Sequence, residues 1–400
     1  MVVLQNLKFW NQQIRDFQIK DFEVDVTTTG LGKKEIDCSN FIALPPAIDL
    51  HVHFREPGFE HKENMQSGAF AALHGGILHV LDMPNTNPIT DSTKAVLQKK
   101  ELSSKQKWIE ILVAAALTNY NFDEIEGLDS HCDAYKVFMS ESFGNLSISY
   151  ENIENSLVKL ESIESSKPII FHAEDPRIIE ESKKENNHSK KRPPEAEAFA
   201  VQTVLKWASD FPSLKFHLTH ISSSLSLKFL DLVDSANLTS DTCPRYLFLN
   251  EDSSIPQHYK KVNPPLRKIS DNNSLIESLA TGVVDMISSD HSPHTLAEKE
   301  KENPSGMPGV QELLPALLTL VKNMEIEWDR AIEAFHYLPS KLLNLETDES
   351  LNSFIVLDIN EPFRVDKSWI KSKAKWSPFE NSFLYGKIKH IVKNNSLIQM

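Results

Sequence analysis

At 400 residues the chain is long enough for one large core and a smaller second unit, and its composition is that of a soluble globular protein. A formal net charge of −14 argues against nucleic acid and anionic membrane surfaces as general partners, although one local arginine could still hold an acidic substrate. The opening MVVLQNLKFWNQQ has no basic region followed by an apolar run, and no apolar stretch is long enough for a bilayer. Three widely spaced cysteines (Cys38, Cys132, Cys243) suit reduced thiols in the cytosol.

Residues 1–45 read as short strands and turns (FQIKDFEVDVTTTGLGKKEIDC). Apolar runs then alternate with helix-like segments. IDLHVHF is followed by the helix KENMQSGAFAALHGG, whose final glycines suit a C-cap. GGILHVLDM, WIEILVAAAL, DAYKVFM and KPIIFHAE come next. The charged stretch 182–194, SKKENNHSKKRPP, reads as a solvated loop. The helix RPPEAEAFAVQTVLKW opens on proline and puts Ala196, Phe199, Ala200, Thr203 and Trp207 on one stripe. LKFHLTHI, LTSDTCPRYLFL, the helix SDNNSLIESLATG and VVDMISSD complete the series. The tail, SFIVLDIN and SFLYGKIKHIVKNNSLIQM, returns to short strands.

Strand–helix alternation predicts parallel strands joined by helical crossovers. Eight such units, from about residue 46 to 320, predict an α/β fold of (β/α)8 TIM-barrel type, typically roughly 250 residues. The expected barrel domain is 46–350. Segments 1–45 and 351–400 are expected to pair into a small β-sandwich domain. No G-x-G-x-x-G follows a strand, which disfavours an open doubly wound sheet.

Barrel chemistry gathers at the C-terminal strand ends. In the first strand His51 and His53 share a face, being two apart, with Leu50, Val52 and Phe54 on the other. Arg55 follows. Later strand ends offer Asp82 and then Asn85 in MPNTNP, Lys136 in AYKVFM, His172 in FHAED and His220 in HLTHIS. Asn263 in NPPLR and Asp290 with His294 in SSDHSPHT complete the set. Each histidine alone is a weak signal. His51, His53, His172, His220 and Asp290 together, on successive strand ends, suit zinc, which prefers neutral imidazole and carboxylate. Lys136 lies between Tyr135 and Val137, where an uncompensated ammonium is costly. It either reaches solvent or an acid, or adds carbon dioxide to become a carbamate able to bridge two metals; the sequence leaves both open. His217, three before His220, is expected to face the helical layer. Phe138, Phe171 and Phe216 read as barrel packing. Glu174 and Asp175 are either partners of His172 or loop bonds.

In order, HVHFREPG, MPNTNP, KVFM, HAED, NPPLR and DHSPHT resemble the dihydroorotases of the amidohydrolase superfamily, over nearly the whole chain. The resemblance implies two zinc ions per subunit: one on His51, His53 and Asp290, the other on His172 and His220, bridged by carbamylated Lys136. It implies reversible cyclisation of N-carbamoyl-L-aspartate to L-dihydroorotate in pyrimidine biosynthesis, with Asp290 moving the proton. It gives Arg55, Asn85, Asn263, His294, Pro308 and Gly309 to substrate. The Arg55 fork suits a carboxylate; the competing reading is a surface ion pair with Glu56 or Glu60. Either asparagine could instead cap a turn. Pro46 and Ala47 replace customary glycines and Ser292 a customary alanine, which bears on loop shape and not on ligands. The substrate-covering loop of relatives falls at Ser140–Gly144 or Asn303–Gly309. Related hydantoinases or allantoinases are the alternative activity, and the arginine after H-x-H speaks against them. A non-catalytic scaffold for aspartate carbamoyltransferase would have lost a ligand, and none is lost. The expected setting is cytoplasmic, with a small-molecule substrate, no nucleic acid and no membrane. A second copy of the chain and aspartate carbamoyltransferase are the protein partners to test.

Overall fold

The computed structural model describes residues 2–10, 13–19, 21–22, 34–141, 146–233, 235–346 and 352–399. Eight parallel strands follow one another around a barrel: β1 (Ala47–Val52), β2 (Ile77–Asp82), β3 (Glu110–Ala116), β4 (Ala134–Phe138), β5 (Pro168–His172), β6 (Lys215–Leu218), β7 (Leu238–Thr242) and β8 (Met286–Ile287). Each pairs with the next. The ring closes through a parallel bridge between Val52 and His291, where the His53 amide donates to the His291 carbonyl at 2.7 Å. The (β/α)8 barrel expected from the alternation is therefore present.

Alternate residues divide between two cores, as a pleated strand requires. Leu112, Ala114, Ala134, Ile170 and Met286 fill the barrel interior with Ile48 and Leu50, while Val113, Val137, Phe171 and Leu218 meet the helices. This corrects one expectation. Leu50 faces inward, whereas Val52 and Phe54 face the helical layer. A register irregularity between Asp49 and Val52 resets the alternation and turns His51 inward. The Asp49 carboxylate sits in that irregularity, accepting the His51 amide at 3.1 Å and the Ser289 amide at 2.9 Å.

Two further expectations need correction. The apolar run 238–249 is strand only to Thr242, and Pro244–Phe248 is a helix. Proline supplies no amide to a strand ladder and fits the first turn of a helix. In the helix Pro194–Asp210 the buried face is Ala196, Glu197, Ala200, Val201, Val204 and Trp207, and Phe199 is 52 % exposed. The stripe is rotated because the buried Glu197 carboxylate anchors that face. It accepts from the amides of Ser222 and Ser223 and from the hydroxyls of Ser222, Ser223 and Ser226.

Both chain ends enter one mixed sheet of eight strands, in which Ile42–Leu44 pairs antiparallel with Phe354–Asp358. Phe354 and Val356 join a separate small core with Leu4, Leu7 and Phe9, while Ile355 and Leu357 pack into the barrel's outer core. The segment between Phe363–Arg364 and Phe383–Leu384 leaves that sheet and reaches the barrel mouth. There Trp376 Nε1 donates to the His294 carbonyl at 2.8 Å and the Ser372 hydroxyl to Glu63 at 2.5 Å.

Candidate metal centre and substrate cavity

The strand ends of β1, β5 and β6 and the loop after β8 bring His51, His53, His172, His220 and Asp290 to one cavity of about 210 Å³. All five are buried. One ligand atom from each of His51, His53 and Asp290 lies within 4.8 Å of the others. Asp290 Oδ1 is 3.4 Å from His51 Nε2 and 3.2 Å from His53 Nε2. Beside them His172 Nδ1 and His220 Nε2 are 3.0 Å apart.

Hydrogen bonds behind the rings settle which nitrogen faces forward. His51 Nδ1 is 2.8 Å from the Thr219 hydroxyl, which itself donates to Asp241. The hydroxyl has one proton, so it accepts from His51 Nδ1–H, and the Nε2 lone pair is left facing Asp290. His172 Nε2 lies 2.8 Å from Glu174, so it carries the proton, and the Nδ1 lone pair points to His220. Glu174 is in turn held by Arg192 at 2.5 Å. Asp241 also accepts the His220 amide at 2.7 Å and the Ser288 hydroxyl at 2.8 Å.

Burial is the largest cause in every imidazole's shift. It holds His51 and His220 well below the usual histidine range, lowers His172, and pushes His53 down to about 4. The four rings are therefore neutral at physiological pH, the form that ligates metal. Burial opposes ionisation of Asp290, but the Arg245 guanidinium against it outweighs burial and holds the carboxyl well below its usual range. Lys136 lies fully buried on β4, with Nζ lacking a hydrogen-bond partner among the described residues. Burial pushes this amine down to about 7 against the pull of Asp290. Neutral imidazoles, a carboxylate and an orphaned amine make a donor set that fits divalent metal.

Arg55, Asn85, Asn263 and His294 line the same cavity. Arg55 is 4 % exposed and has no carboxylate partner among the described residues; its Nε donates to the Pro293 carbonyl at 3.3 Å. The surface-pair reading fails because Glu56 accepts the Met65 amide and Glu60 the Gly58 amide. Asn85 Oδ1 is buried with no partner among the described residues, and Asn263 Oδ1 accepts from the Ser305 hydroxyl at 3.2 Å. Arg55, His220 and Asp290 all adopt positive φ (64°, 50° and 39°), a strained backbone that clusters at working sites. Pro308 and Gly309 do not line the cavity. The Gly309 amide donates to His291 Nδ1 at 3.1 Å, and Pro304, Ser305 and Gly306 form that wall. Of the two loop segments, residues 142–144 lie outside the described residues.

Several neighbours were not foreseen. Arg245 contacts Asp290 Oδ2; it stands just past a strand end, like the collected residues, but reading 238–249 as one strand hid it. Arg192 sat in a stretch read as solvated, yet it is buried on Glu174. His217 faces inward, with Nε2 2.8 Å from Asp241, because β6 stops at Leu218 and the positive φ of His220 resets the alternation. Phe138 lines the cavity, its ring centroid 6.0 Å from that of His172, while Phe171 stacks on Phe216 in the outer core. Asp82 is not a lining residue: it pairs with buried Lys99 at 2.8 Å and accepts the Phe54 amide. Asp175 caps the helix Pro176–Glu181.

Comparison with known proteins places this barrel and its histidine–aspartate mouth among the cyclic amidohydrolases. A family model described as Dihydro-orotase-like matches residues 41–141. The dihydroorotase of Methanosarcina acetivorans is 32% identical over 375 residues, covering 86% of this chain and 79% of its own. The multifunctional protein CAD of Squalus acanthias is 29% identical over 88% of this chain, a match to 14% of that much longer protein. The L-hydantoinase (dihydropyrimidinase) of Arthrobacter aurescens superposes with a TM-score of 0.87 at 22% identity, over 99% of this chain and 95% of its own, and shares the fold. The chain belongs to the dihydroorotase family. Among the described residues no helix is long and apolar enough to cross a membrane.

Proposed function

We propose that the protein is a zinc-dependent dihydroorotase that interconverts N-carbamoyl-L-aspartate and L-dihydroorotate in pyrimidine biosynthesis. One observation carries the reading: Arg55, a buried cation with no acid partner among the described residues, lines the same cavity as the histidine cluster. A substrate that keeps a free carboxylate answers that charge; a plain hydantoin ring does not. His51, His53 and Asp290 would hold one zinc, and His172 and His220 a second. Carbamylated Lys136 would bridge them, since its amine is unpartnered and pushed down to about 7. When bound, zinc lowers the pKa of a water from roughly 15.7 to about 7 and polarises a carbonyl.

The chain's own groups do the rest. Arg55 holds the substrate carboxylate, and Asn85 and Asn263 orient the ring beside it. In hydrolysis the water oxygen bonds to the ring carbonyl carbon. Asp290 takes the water's proton and hands it to the ring nitrogen as the C–N bond breaks. In cyclisation the same carboxyl returns the proton to the departing water. Cytoplasmic residence follows from the reading, and assembly with a second copy or with aspartate carbamoyltransferase is for co-elution to test.

The experiment is zinc content together with the absorbance of dihydroorotate formed from carbamoyl aspartate at mildly acidic pH. Turnover by zinc-loaded protein supports the reading. Full zinc loading without turnover would hand the site to a hydantoinase-type substrate.

A further inference from the structure

Lys62 also lines the cavity, although it lies seven residues beyond Arg55 and outside the groups assigned above. Its side chain is 15% exposed. An ammonium has three N–H donors that rotate about the Cε–Nζ bond. One meets His294 Nδ1 at 3.2 Å and another Glu298 Oε1 at 3.3 Å. Glu298 is already shared: it pairs with His61 at 3.1 Å and accepts the Thr295 amide and hydroxyl, each at 3.0 Å. On the other edge of the same imidazole, Arg55 Nη2 lies 3.3 Å from His294 Nε2. His294 is thus sandwiched between two cations, and among the described residues Glu298 is the carboxylate in ion-pair contact with Lys62, while none is in such contact with Arg55. Two cations with one carboxylate in direct contact thus stand on the wall of one cavity.

Resting on the reading of the site as a dihydroorotase, we infer that Lys62 is a specificity-determining residue that joins Arg55 in clamping the substrate carboxylate. Arg55 supplies the planar fork that fixes orientation. Lys62 supplies a point charge from the second side. Its contact also keeps Nδ1 of His294 as the acceptor, so the ring proton sits on Nε2, which donates to the Ser305 carbonyl at 3.1 Å and holds that cavity wall. A cyclic amide with no carboxylate would leave desolvated Arg55 unpaired and Lys62 with only the shared Glu298, so the clamp disfavours it.

The test compares wild type with Lys62→Met and Lys62→Arg in the zinc-loaded enzyme, by turnover of dihydroorotate and by calorimetric binding of orotate, which keeps the carboxylate on an unreactive ring. Lys62→Met is expected to raise KM and the orotate Kd about tenfold while kcat stays within about threefold, the size of one charge-assisted contact at a partly wet position. Lys62→Arg is expected to restore both. Zinc content and unfolding midpoint must match wild type. Should the methionine variant fail to fold, Lys62→Gln, which keeps a neutral donor to His294, takes its place with the same expected rise. Unchanged KM and Kd in these variants, with wild type active, would overturn the clamp, and so would a loss confined to kcat. Wild type that binds orotate tightly in a Lys62-dependent way but does not turn over dihydroorotate would sink the reaction and leave the clamp. Absence of orotate binding by wild type would overturn both.

Discussion

Arg245 closes on Asp290 twice: one guanidinium nitrogen meets Oδ2 and the other donates to the Asp290 carbonyl at 3.0 Å. The carboxylate is thereby divided, with Oδ1 left to His51 and His53 and Oδ2 fixed from behind. Such partners typically matter by about 10–100-fold in affinity or activity. Arg245→Met is therefore expected to lower kcat by about that factor, and Arg245→Lys to recover part of it. A kcat equal to wild type in metal-replete Arg245→Met, checked by steady-state kinetics with zinc assayed on the same sample, would show that Asp290 needs no such support.

Arg55 has a sharper expectation, because its partner is the substrate. Removing a charge-assisted, bidentate contact costs about 1.5–3 kcal/mol. Arg55→Ala should raise KM for dihydroorotate by roughly ten- to a hundredfold with zinc content preserved. Kinetics like those of wild type would remove the carboxylate assignment.

Lys136 should be found as a carbamate. Protein prepared in 13C-labelled bicarbonate is expected to show a carbamate carbon resonance that is absent from Lys136→Arg. The arginine variant should be inactive and hold less zinc, since guanidinium forms no carbamate and carries a permanent charge. A wild-type spectrum without that resonance, from fully active protein, would leave Lys136 as an amine.

Lys99 and Asp82 make a wholly buried pair, and Lys99 also donates to the Met83 carbonyl at 2.5 Å. Deleting one partner strands the other charge, a change typically worth about 3–5 kcal/mol. Lys99→Met should lose that much stability in chemical denaturation. Lys99 is not itself a lining residue, so kcat should fall far less than stability in whatever fraction folds. A loss below about 1 kcal/mol would mean that Asp82 takes up a proton or gains water instead.

The linear sequence determined the periodicities and the chemistry of single residues. Eight apolar runs spaced by helical segments specify a barrel, and in a barrel the strand ends must converge. His51, His53, His172, His220 and Asp290 could therefore be chosen by position along the chain before any distance was known. What tertiary structure decided is everything that depends on orientation across long separations. The inward turn of His51 comes from an irregularity at Asp49, and that of His217 and His220 from a strand that stops early; neither breaks the two-residue pattern visibly. Arg245 and Arg192 look like solvent-facing charges until Asp290 and Glu174, brought by other strands, compensate them in the interior. Lys62 shows the same limit, since nothing local separates a lysine that faces a cavity from one that faces water. The physical reason is common to all of these: periodicity reports which side of its own element a residue takes, whereas burial and pairing of a charge depend on groups on other elements, 18 residues away for Arg192 and Glu174 and 232 for Lys62 and His294.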